Sequence, residues 1–452
     1  MKDDTIVALC TPKGKGALSL LRISGPKASK ITRKMASFLP SKLKSHKAYF
    51  GTLKTDSHEI DQVLITYFKK GHSFTGEETI EISCHGGKVY LEVLKILLEK
   101  GARLAQKGEF SFQAFSNGKM DLVQSEALLQ LVEAESHLAR KQALFQLKGK
   151  LSKKFLEIEK KWIFLLSHVE ADIDFSLENL KLLEDKKLKQ KLKALRKELE
   201  SLIYHYRPFE KLQTGLIFGI FGQTNVGKSS LFNALLKENK AIVSKEEGTT
   251  RDIIEGKLLN AKGLNILLKD SAGFRESKSE GEVEGQKRSY ALFKECDYRL
   301  LLVDSSQPQL EKSLFQDLKN TWLIFTKSDL LQKGKQKTKL FNQLKKKYKD
   351  IKTPAKIFIV SSLLKEGISD LRKNIRNCGI SQSEDFLISN SRHHKALIKM
   401  KDSLIACEKL NFERDIMALE LRQGLLALYE ILGKQIEDKV LDKIFKQFCI
   451  GK

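Results

Sequence analysis

A glycine-rich run between two apolar segments constrains this chain more than any other stretch. The run GQTNVGKSS occupies residues 222–230, directly after the apolar segment 216–221 and directly before the apolar segment 231–236. This order predicts a strand, a loop and a helix, which is the structural setting of the P-loop pattern G-x-x-x-x-G-K-[ST]. The chain is therefore expected to contain an α/β domain that binds a nucleoside triphosphate.

Each part of this run suits a phosphate chain. Gly222 and Gly227 allow the backbone to approach a triphosphate closely, and the amides and dipole of a helix N-terminus favour an anion. Lys228 is expected to reach the terminal phosphates, and Ser229 to bind magnesium.

Further nucleotide motifs follow in a set order. The segment GTTRD at 248–252 offers Thr250 as a switch residue that closes over magnesium and the terminal phosphate. A predicted strand at 264–269 leads into DSAG, where Asp270 can hold magnesium through water and the Gly273 amide can contact the γ-phosphate. The spacing predicts a nucleotide-dependent switch.

A base-reading motif completes the series. The segment WLIFTKSD at 322–329 predicts a strand that ends in T-K-x-D, a variant of the guanine-reading N-K-x-D. The Asp329 carboxylate can accept hydrogen bonds from the ring nitrogen and amino group of guanine, which adenine does not offer, while the stem of Lys327 lies along the base. A last base contact is expected from Ser361 and Ser362. The ordered set of motifs favours GTP over ATP.

The residue that would orient water for hydrolysis is not obvious from these motifs. Gly273 is followed by Phe274, whose apolar side chain cannot orient a water molecule. Hydrolysis must then use another polar group. The nearby candidates are Arg275, Glu276, Glu280, Glu282 and Glu284.

The length and the pattern changes along the chain predict several domains. At 452 residues the chain exceeds the usual capacity of one hydrophobic core. Short strands mixed with helices, such as a strand at 59–68 and a helix at 89–99, predict an α+β domain. Alternating strands and helices after it predict a parallel sheet covered on both faces. The expected domains are an α+β domain at 1–118, a helical domain at 119–213 that resumes at 379–452, and a P-loop domain at 214–378 inserted between its halves.

One helical stretch is regular enough to assign its buried face. Its leucines recur at alternating steps of four and three residues, which is typical of the seam of a bundled helix with lysine-rich flanks. The seam consists of Leu188, Leu192, Leu195, Leu199 and Leu202.

Charge and cysteine content limit the compartment and the partners. The chain has 81 Lys and Arg against 56 Asp and Glu, a formal net charge of +25. This excess points to a nucleic acid, although the even scatter of lysine is also typical of a lysine-rich proteome. The six cysteines form no C-x-x-C pair, which indicates reduced thiols. No apolar run approaches the ~20 residues of a membrane span, so a cytoplasmic location without membrane contact is expected.

Together, the motifs resemble those of the bacterial tRNA-modification GTPase family MnmE, also called TrmE, over nearly the whole chain. The evidence is the P-loop with GTTRD, DSAGFRE, DTIVALCTPKGKG, LRISG, SFTGEETIEISCHGG, GEFSFQAFSNGKMDL and the terminal FCIGK, which is the most diagnostic. The resemblance implies an N-terminal α+β domain for folate binding and dimerisation, a discontinuous α-helical domain, and an inserted Ras-like P-loop GTPase domain.

The resemblance also assigns ligands to residues of this chain. A folate derivative, 5-formyl- or methylene-tetrahydrofolate, would contact Arg22, Glu77, Lys119 and the terminal Lys452. GTP and magnesium would lie in the G domain, with Ser229 as a magnesium ligand. The residues expected around the nucleotide and its ions are Asn225, Val226, Gly227, Lys228, Ser229, Ser230, Ser244, Lys245, Glu246, Glu247, Gly248, Thr249, Thr250, Asp270, Ser271, Ala272, Gly273, Thr326, Lys327, Asp329, Ser361 and Ser362.

Family members use potassium where other GTPases use an arginine finger. The implied metal ligands are Ser229 and Thr250 for magnesium, and Asn225, Ser244, Glu246 and Thr249 for potassium. Glu282 matches the glutamate that orients the attacking water, so the implied catalytic residues are Glu282, Lys228 and Asn225.

Several positions depart from the family pattern. Thr224 replaces a proline, Ser271 replaces the threonine of DTAG, and Thr326 replaces the asparagine of N-K-x-D. The last change is expected to loosen guanine binding without abolishing it. The loop SKEEG at 244–248 is more charged than the loops of the family, and this bears on potassium binding.

The resemblance implies a homodimeric, potassium-dependent GTPase that forms a heterotetramer with a flavoprotein of the MnmG (GidA) type. Together they would install an aminomethyl or carboxymethylaminomethyl group at carbon 5 of the wobble uridine, position 34, of certain tRNAs. Two alternatives stay open on the sequence. One is a GTP-dependent RNA-binding factor for ribosome assembly, without modification chemistry. The other is a folate-dependent one-carbon transferase with a vestigial G domain.

Overall fold

The structure, a computed structural model, divides into two compact units. The first comprises Met1–Glu133, Ala143–Tyr204 and Ser391–Lys452, and the second comprises Ala134–Gln142 and His205–Asn390. The structure describes residues 4–174, 184–206, 208–236, 255–259, 265–270, 292–293, 295–307, 309, 320–330, 342, 355–378, 388–410, 413–435 and 438–451.

A mixed six-stranded sheet begins the first unit. Its strands are β1 (Ile6–Leu9), β2 (Leu18–Ser24), β3 (Lys47–Lys54), β4 (Glu59–Phe68), β5 (Thr79–His85) and β6 (Arg103–Leu104), in the order β3-β4-β5-β2-β1-β6. Neighbouring strands pair antiparallel except β1 with β6, which is parallel. Alternating apolar residues put one row of side chains into a core, as in Leu21 and Ile23 of β2.

Three helices accompany this sheet: α1 (Ala28–Arg33), α2 (Val89–Glu99) and α3 (Glu109–Ser116). Helix α2 buries Val93, Ile96 and Leu97 at helical spacing in the core below the sheet. The strand expected at 59–68 and the helix expected at 89–99 are both confirmed with those bounds.

The rest of the first unit is helical. It contains α4 (Leu122–Glu133), α6 (Lys150–Asp174), α7 (Asp185–Tyr204), α11 (Ser391–Lys409), α12 (Arg414–Leu432) and α13 (Asp438–Phe445); the intervening α5 (His137–Leu147) has residues in both units. Helix α7 packs on α11, and α6 packs on α12. All five leucines of the predicted seam are buried on α7, so that prediction is confirmed.

The second unit is built on a six-stranded sheet in the order β12-β11-β10-β7-β9-β8. The strands are β7 (Leu216–Phe221), β8 (Glu255–Leu259), β9 (Asn265–Asp270), β10 (Tyr298–Asp304), β11 (Thr321–Thr326) and β12 (Lys356–Ile359). All neighbours are parallel except β8, which pairs antiparallel with β9 at the edge. The sequence predicted a parallel sheet, but the sheet is mixed. Only five residues separate β8 from β9, and such a short connection favours an antiparallel hairpin.

Helices α8 (Phe209–Thr214), α9 (Lys228–Leu236) and α10 (Ile368–Arg376) accompany this sheet. The central strands β10 and β11 each contain four consecutive buried apolar residues, as expected for strands buried on both faces. Parallel strands place their carboxyl ends at one edge of the sheet. The residues that follow β7, β9, β10 and β11 therefore lie at that edge.

Candidate nucleotide-binding site

The P-loop leaves the end of β7 in a tight backbone path. Gly222, Asn225 and Gly227 all have positive φ, of 147°, 58° and 96°. A Cβ atom at Gly222 would lie 2.7 Å from the carbonyl oxygen of Leu302, so only glycine fits there. Positive φ at Asn225 and Gly227, with Val226 between them, is typical of the backbone turns that form concave anion sites.

Lys228 lies across this loop. It begins α9, is only 8% exposed, and donates from Nζ to the carbonyl oxygens of Gly222 and Gln223 at 2.9 and 2.7 Å. These contacts hold the ammonium on the concave side of the loop, where a phosphate chain would meet it.

The two expected magnesium residues meet at the edge of the sheet. Asp270 ends β9 and is 1% exposed, while Ser229 lies in the first turn of α9. The Ser229 hydroxyl donates to Asp270 Oδ2 at 3.2 Å. A hydroxyl and a carboxylate so close together form a hard oxygen donor set, which is the chemistry that Mg²⁺ prefers.

Thr326 has a structural contact with the P-loop. Its buried hydroxyl lies 2.6 Å from the carbonyl oxygen of Val226 and 3.2 Å from that of Val303. The Ser305 hydroxyl donates in turn to the Thr326 carbonyl at 2.5 Å. The threonine that departs from N-K-x-D therefore links the P-loop to β10 and β11 through its own side chain.

Asp329 is held by a serine from another segment. It lies in the short 3₁₀ turn Ser328–Leu330, and the Ser361 hydroxyl donates to its Oδ1 at 2.6 Å. The buried Ser361 Oγ also accepts from the Leu364 amide at 3.1 Å. Ser361, expected as a base contact, thus orients the carboxylate expected to read guanine.

Lys327 pairs with a carboxylate that the sequence analysis did not single out. Its Nζ lies 2.7 Å from Oδ2 of Asp304, the last residue of β10. Burial raises the pKa of Asp304, but hydrogen bonds from Lys327 and Ser306 outweigh it and lower that pKa below its ordinary value. The sequence feature that could have identified Asp304 as a site residue is its position at the carboxyl end of a parallel strand.

Other residues expected around the ligands either make no described side-chain contact in the site or lie outside the described part of the chain. Ser230 is exposed on α9, and Ser362 is half-buried beside Ser361. The residues that lie outside the described part of the chain are Ser244, Lys245, Glu246, Glu247, Gly248, Thr249, Thr250, Ser271, Ala272, Gly273, Glu282 and Lys452.

In the first unit, Arg22 is tightly held. Its guanidinium donates twice to Glu81 Oε1 on the neighbouring strand β5, at 2.9 and 2.7 Å. Its Cζ also lies 5.3 Å from the ring centroid of Phe74 and 5.6 Å from that of Phe110. Arg22 is therefore a pre-oriented cation among aromatic rings, which suits a planar anionic ligand.

Glu77 and Lys119 meet at the loop 71–77. Asn117 donates to Oε1 of Glu77 at 3.2 Å, and Lys119 donates to the Gly71 carbonyl at 2.9 Å. Asn117 also donates to the Thr75 carbonyl at 2.8 Å. The structure thus brings Glu77 and Lys119 together around one loop, and Phe74 of that loop lies under Arg22.

The C-terminal tail reaches the same domain. Ile450 bridges to Lys107, and the Cys10 thiol donates to the Gly451 carbonyl at 3.2 Å. A Cβ atom at Gly451 would lie 2.3 Å from the Leu9 carbonyl oxygen, so the tail passes flush against the end of β1. Two chain ends 441 residues apart thus meet beside β2, the strand that carries Arg22.

Two family models match the chain. The model described as MnmE helical domain matches residues 122–449, and the model described as GTP-binding protein TrmE N-terminus matches residues 5–119. The first of these alone spans more than half of the chain.

Several relatives that match over the full length share one name. A tRNA modification GTPase MnmE of Bdellovibrio bacteriovorus is 38% identical over 471 residues, covering 99% of this chain and 98% of the relative. A protein of the same name from Clostridioides difficile is 35% identical over 467 residues, covering 100% and 99%. Among solved structures, the G domain of the T. maritima FeoB iron transporter is 30% identical over 35% of this chain and 96% of that one, with a TM-score of 0.26. On the evidence of the helical-domain match and the full-length relatives, the chain belongs to the MnmE family of tRNA modification GTPases.

Proposed function

We propose that this chain is a potassium-dependent GTPase that acts in the modification of the tRNA wobble uridine. The observation that carries the proposal is the meeting of Lys228, Ser229 and Asp270 around one P-loop, in a chain of the MnmE family. With a flavin-dependent partner of the MnmG type, it installs an aminomethyl or carboxymethylaminomethyl group at carbon 5 of uridine 34.

The G domain's own reaction is the in-line attack of water on the γ-phosphate of GTP. Lys228 binds the terminal phosphates, and Ser229, Thr250 and Asp270 hold the magnesium that neutralises charge on them. Glu282 orients the attacking water. The 3.2 Å contact of Ser229 with Asp270 supports the magnesium assignment because it already assembles two oxygen donors.

Guanine selectivity depends on Asp329 in this proposal. The Ser361 hydroxyl holds one carboxylate oxygen at 2.6 Å and so fixes the plane of the carboxylate. The fixed carboxylate accepts from the ring N–H and amino group of guanine. Adenine presents neither group in that place, so the site favours GTP.

Potassium is bound by Asn225 together with residues of the loop 244–249. Support comes from Asn225, which is exposed on the P-loop and held with φ of 58°. Asn225 thus lies at a left-handed turn of the P-loop, the part of the chain that surrounds the phosphate site. The cation supplies positive charge toward the transferring phosphoryl group.

The folate site comprises Arg22, Glu77, Lys119 and Lys452. Arg22 is pre-oriented by Glu81 beside two phenylalanine rings, a setting that fits a planar, anionic pterin with its glutamate tail. Folate supplies the one-carbon unit of the modification. The chain's side chains bind and orient the ligand.

The assembly consists of a homodimer of this chain that joins the flavoprotein in a heterotetramer and binds tRNA in the cytoplasm. Among the helices in the described ranges, none combines the length and the apolar character needed to cross a bilayer. The net charge of +25 supports a polyanionic substrate.

The first test is GTP turnover by the purified chain in potassium and in sodium buffer. We expect a large advantage in potassium, because Na⁺ is too small for the same ligand set. Asn225→Ala should remove the advantage and leave slow, equal turnover in both salts. Equal turnover by the unaltered protein in both salts would refute the potassium assignment.

The second test concerns the water-orienting residue. Glu282→Ala is expected to lower the turnover number by about 10²–10⁴-fold, the usual contribution of a positioned polar group, with little change in GTP affinity. Glu284→Ala, two residues away, is the matched control. Full hydrolysis by the Glu282→Ala protein would exclude the catalytic assignment.

A further inference from the structure

Helix α7 has two faces of opposite character. Its buried leucines pack toward α11, whereas Lys186, Lys193 and Lys197 are exposed. These lysines are spaced i, i+7 and i+11, which at 3.6 residues per turn puts them in one line opposite the leucine seam. At 1.5 Å per residue the line is about 16 Å long. We call these three residues the lysine stripe.

The acidic residues of α7 do not neutralise the stripe, because other cations hold them. Asp185 pairs with Arg414 at 2.6 Å, Glu198 with Lys154 at 2.5 Å, and Glu200 with Arg196 at 2.5 Å. Within the described part of the chain, the side chains of the three stripe lysines make no ion pair and no hydrogen bond. Among the described residues, the stripe is therefore a line of positive charge whose side chains have no ion-pair partner.

We propose that the lysine stripe binds the phosphate backbone of the substrate tRNA. This inference rests on the proposed function, which makes tRNA the substrate. It assigns part of the net charge of +25 to one defined surface. The spacing gives three cations along one backbone, each able to release counterions.

The test compares two triple variants of the full-length protein. In one, Lys186→Gln, Lys193→Gln and Lys197→Gln remove the stripe. In the matched control, Lys30→Gln, Lys34→Gln and Lys100→Gln remove the same charge from exposed lysines of the first unit that lie outside α6 and α7. Binding of unmodified tRNA transcript is measured at salt concentrations between about 50 and 200 mM, and GTP turnover is measured without tRNA.

The stripe variant is expected to bind tRNA at least ~10-fold more weakly at the lowest salt, and its slope of log K against log salt should fall by about 2 to 3. The control variant should stay within about 2-fold of the unaltered protein, and GTP turnover should be unchanged in both. Equal weakening in both variants would show a general charge effect and overturn the inference. So would normal binding by the stripe variant.

The outcome for the unaltered protein separates this inference from the proposed function. If the unaltered protein does not bind tRNA, both the proposed substrate and the inference are wrong. If it binds tRNA and the stripe variant binds equally well, only the inference is wrong and tRNA uses another surface.

Discussion

The hydroxyl of Thr326 connects three segments of the nucleotide-binding unit. It lies within hydrogen-bonding distance of the carbonyl oxygens of Val226 in the P-loop and Val303 in β10, and it projects from the end of β11. A buried carbonyl without a donor is costly, so this side chain stabilises the loop that surrounds the phosphates. The departure from N-K-x-D therefore keeps a hydrogen-bonding group in the position that braces the P-loop.

Thr326→Ala should weaken GTP binding by about 5- to 150-fold. The change leaves the Val226 carbonyl buried without its partner, which costs about 1–3 kcal/mol. Equilibrium titration with a fluorescent GTP analogue measures the effect. Thr326→Ser keeps the hydroxyl and is the matched control, expected to bind GTP within about threefold of the unaltered protein. Unchanged affinity in the alanine variant would show that the 2.6 Å contact with Val226 contributes nothing to the site.

Asp329 offers a test of base reading. In Asp329→Asn the side-chain amide can donate to the 2-oxo group of xanthine but cannot accept from both guanine donors. We expect GTP affinity to fall and xanthosine triphosphate affinity to rise, so that the preference reverses. Competition binding with GTP and xanthosine triphosphate measures this change in nucleotide preference. Retained guanine preference in this variant would exclude Asp329 as the base-reading residue.

At the scale of elements, a buried ionic cluster joins three helices of the first unit. Arg392 of α11 donates to both carboxylate oxygens of Glu126 on α4, at 3.0 and 2.8 Å, and also to the Glu430 carbonyl near the end of α12. His393 Nε2 lies 2.9 Å from the same carboxylate, and its ring is fully buried. The cluster joins α4, α11 and α12 through the Glu126 carboxylate, which both Arg392 and His393 contact.

Burial and the neighbouring charges shift the pKa values of Glu126 and His393 in this cluster. Burial raises the pKa of Glu126, but the charges and hydrogen bonds of His393 and Arg392 outweigh it and hold that pKa at about 2. Burial lowers the pKa of His393 below its ordinary value of 6.5, and Glu126 only partly opposes this. Arg392 is thus the cation that compensates Glu126 at neutral pH.

Stability should fall as the pH drops below about 6.5, the ordinary value for histidine. The unfolded chain then takes up a proton at His393 that the folded chain does not, so the free energy of unfolding decreases until the pH passes the lowered folded pKa. Urea unfolding between about pH 7.5 and 5.5 measures the slope, and His393→Gln should flatten it. The control is His137→Gln, a change at an exposed histidine. An equal flattening of the pH slope in this control would contradict the assignment of the slope to His393.

At the scale of the whole molecule, the chain forms two units with separate cores. The P-loop, Asp270, Thr326 and Asp329 all belong to the second unit, whereas Arg22, Glu77, Lys119 and the tail belong to the first. The residues proposed to bind the nucleotide and those proposed to bind folate therefore lie in separately cored parts of one chain.

GTP should stabilise the second unit alone. At a concentration of 100 times Kd, binding adds about 2.7 kcal/mol to the unit that binds, which corresponds to about 5–10 °C in its Tm. Scanning calorimetry with and without nucleotide should show one transition shifted and the other unchanged. Lys228→Ala should abolish the shift, and an equal shift of both transitions would show that the two units unfold as one.

The sequence by itself determined the local elements and the residue types of the site. Periodicity gave the bounds of β4 and α2 and the buried seam of α7, because side-chain spacing of two or about 3.6 residues is a local property. The P-loop was predictable because its glycines, lysine and serine act through backbone geometry within nine residues.

The tertiary structure alone decided which distant residues meet. Nothing in the spacing of Thr326 and Val226, or of Glu126 and Arg392, shows that these pairs touch. Such contacts depend on strand order and helix packing, since residues far apart in the chain are brought together by the burial of apolar faces. The antiparallel β8 and the bracing role of Thr326 were likewise set by neighbours that local patterns do not identify.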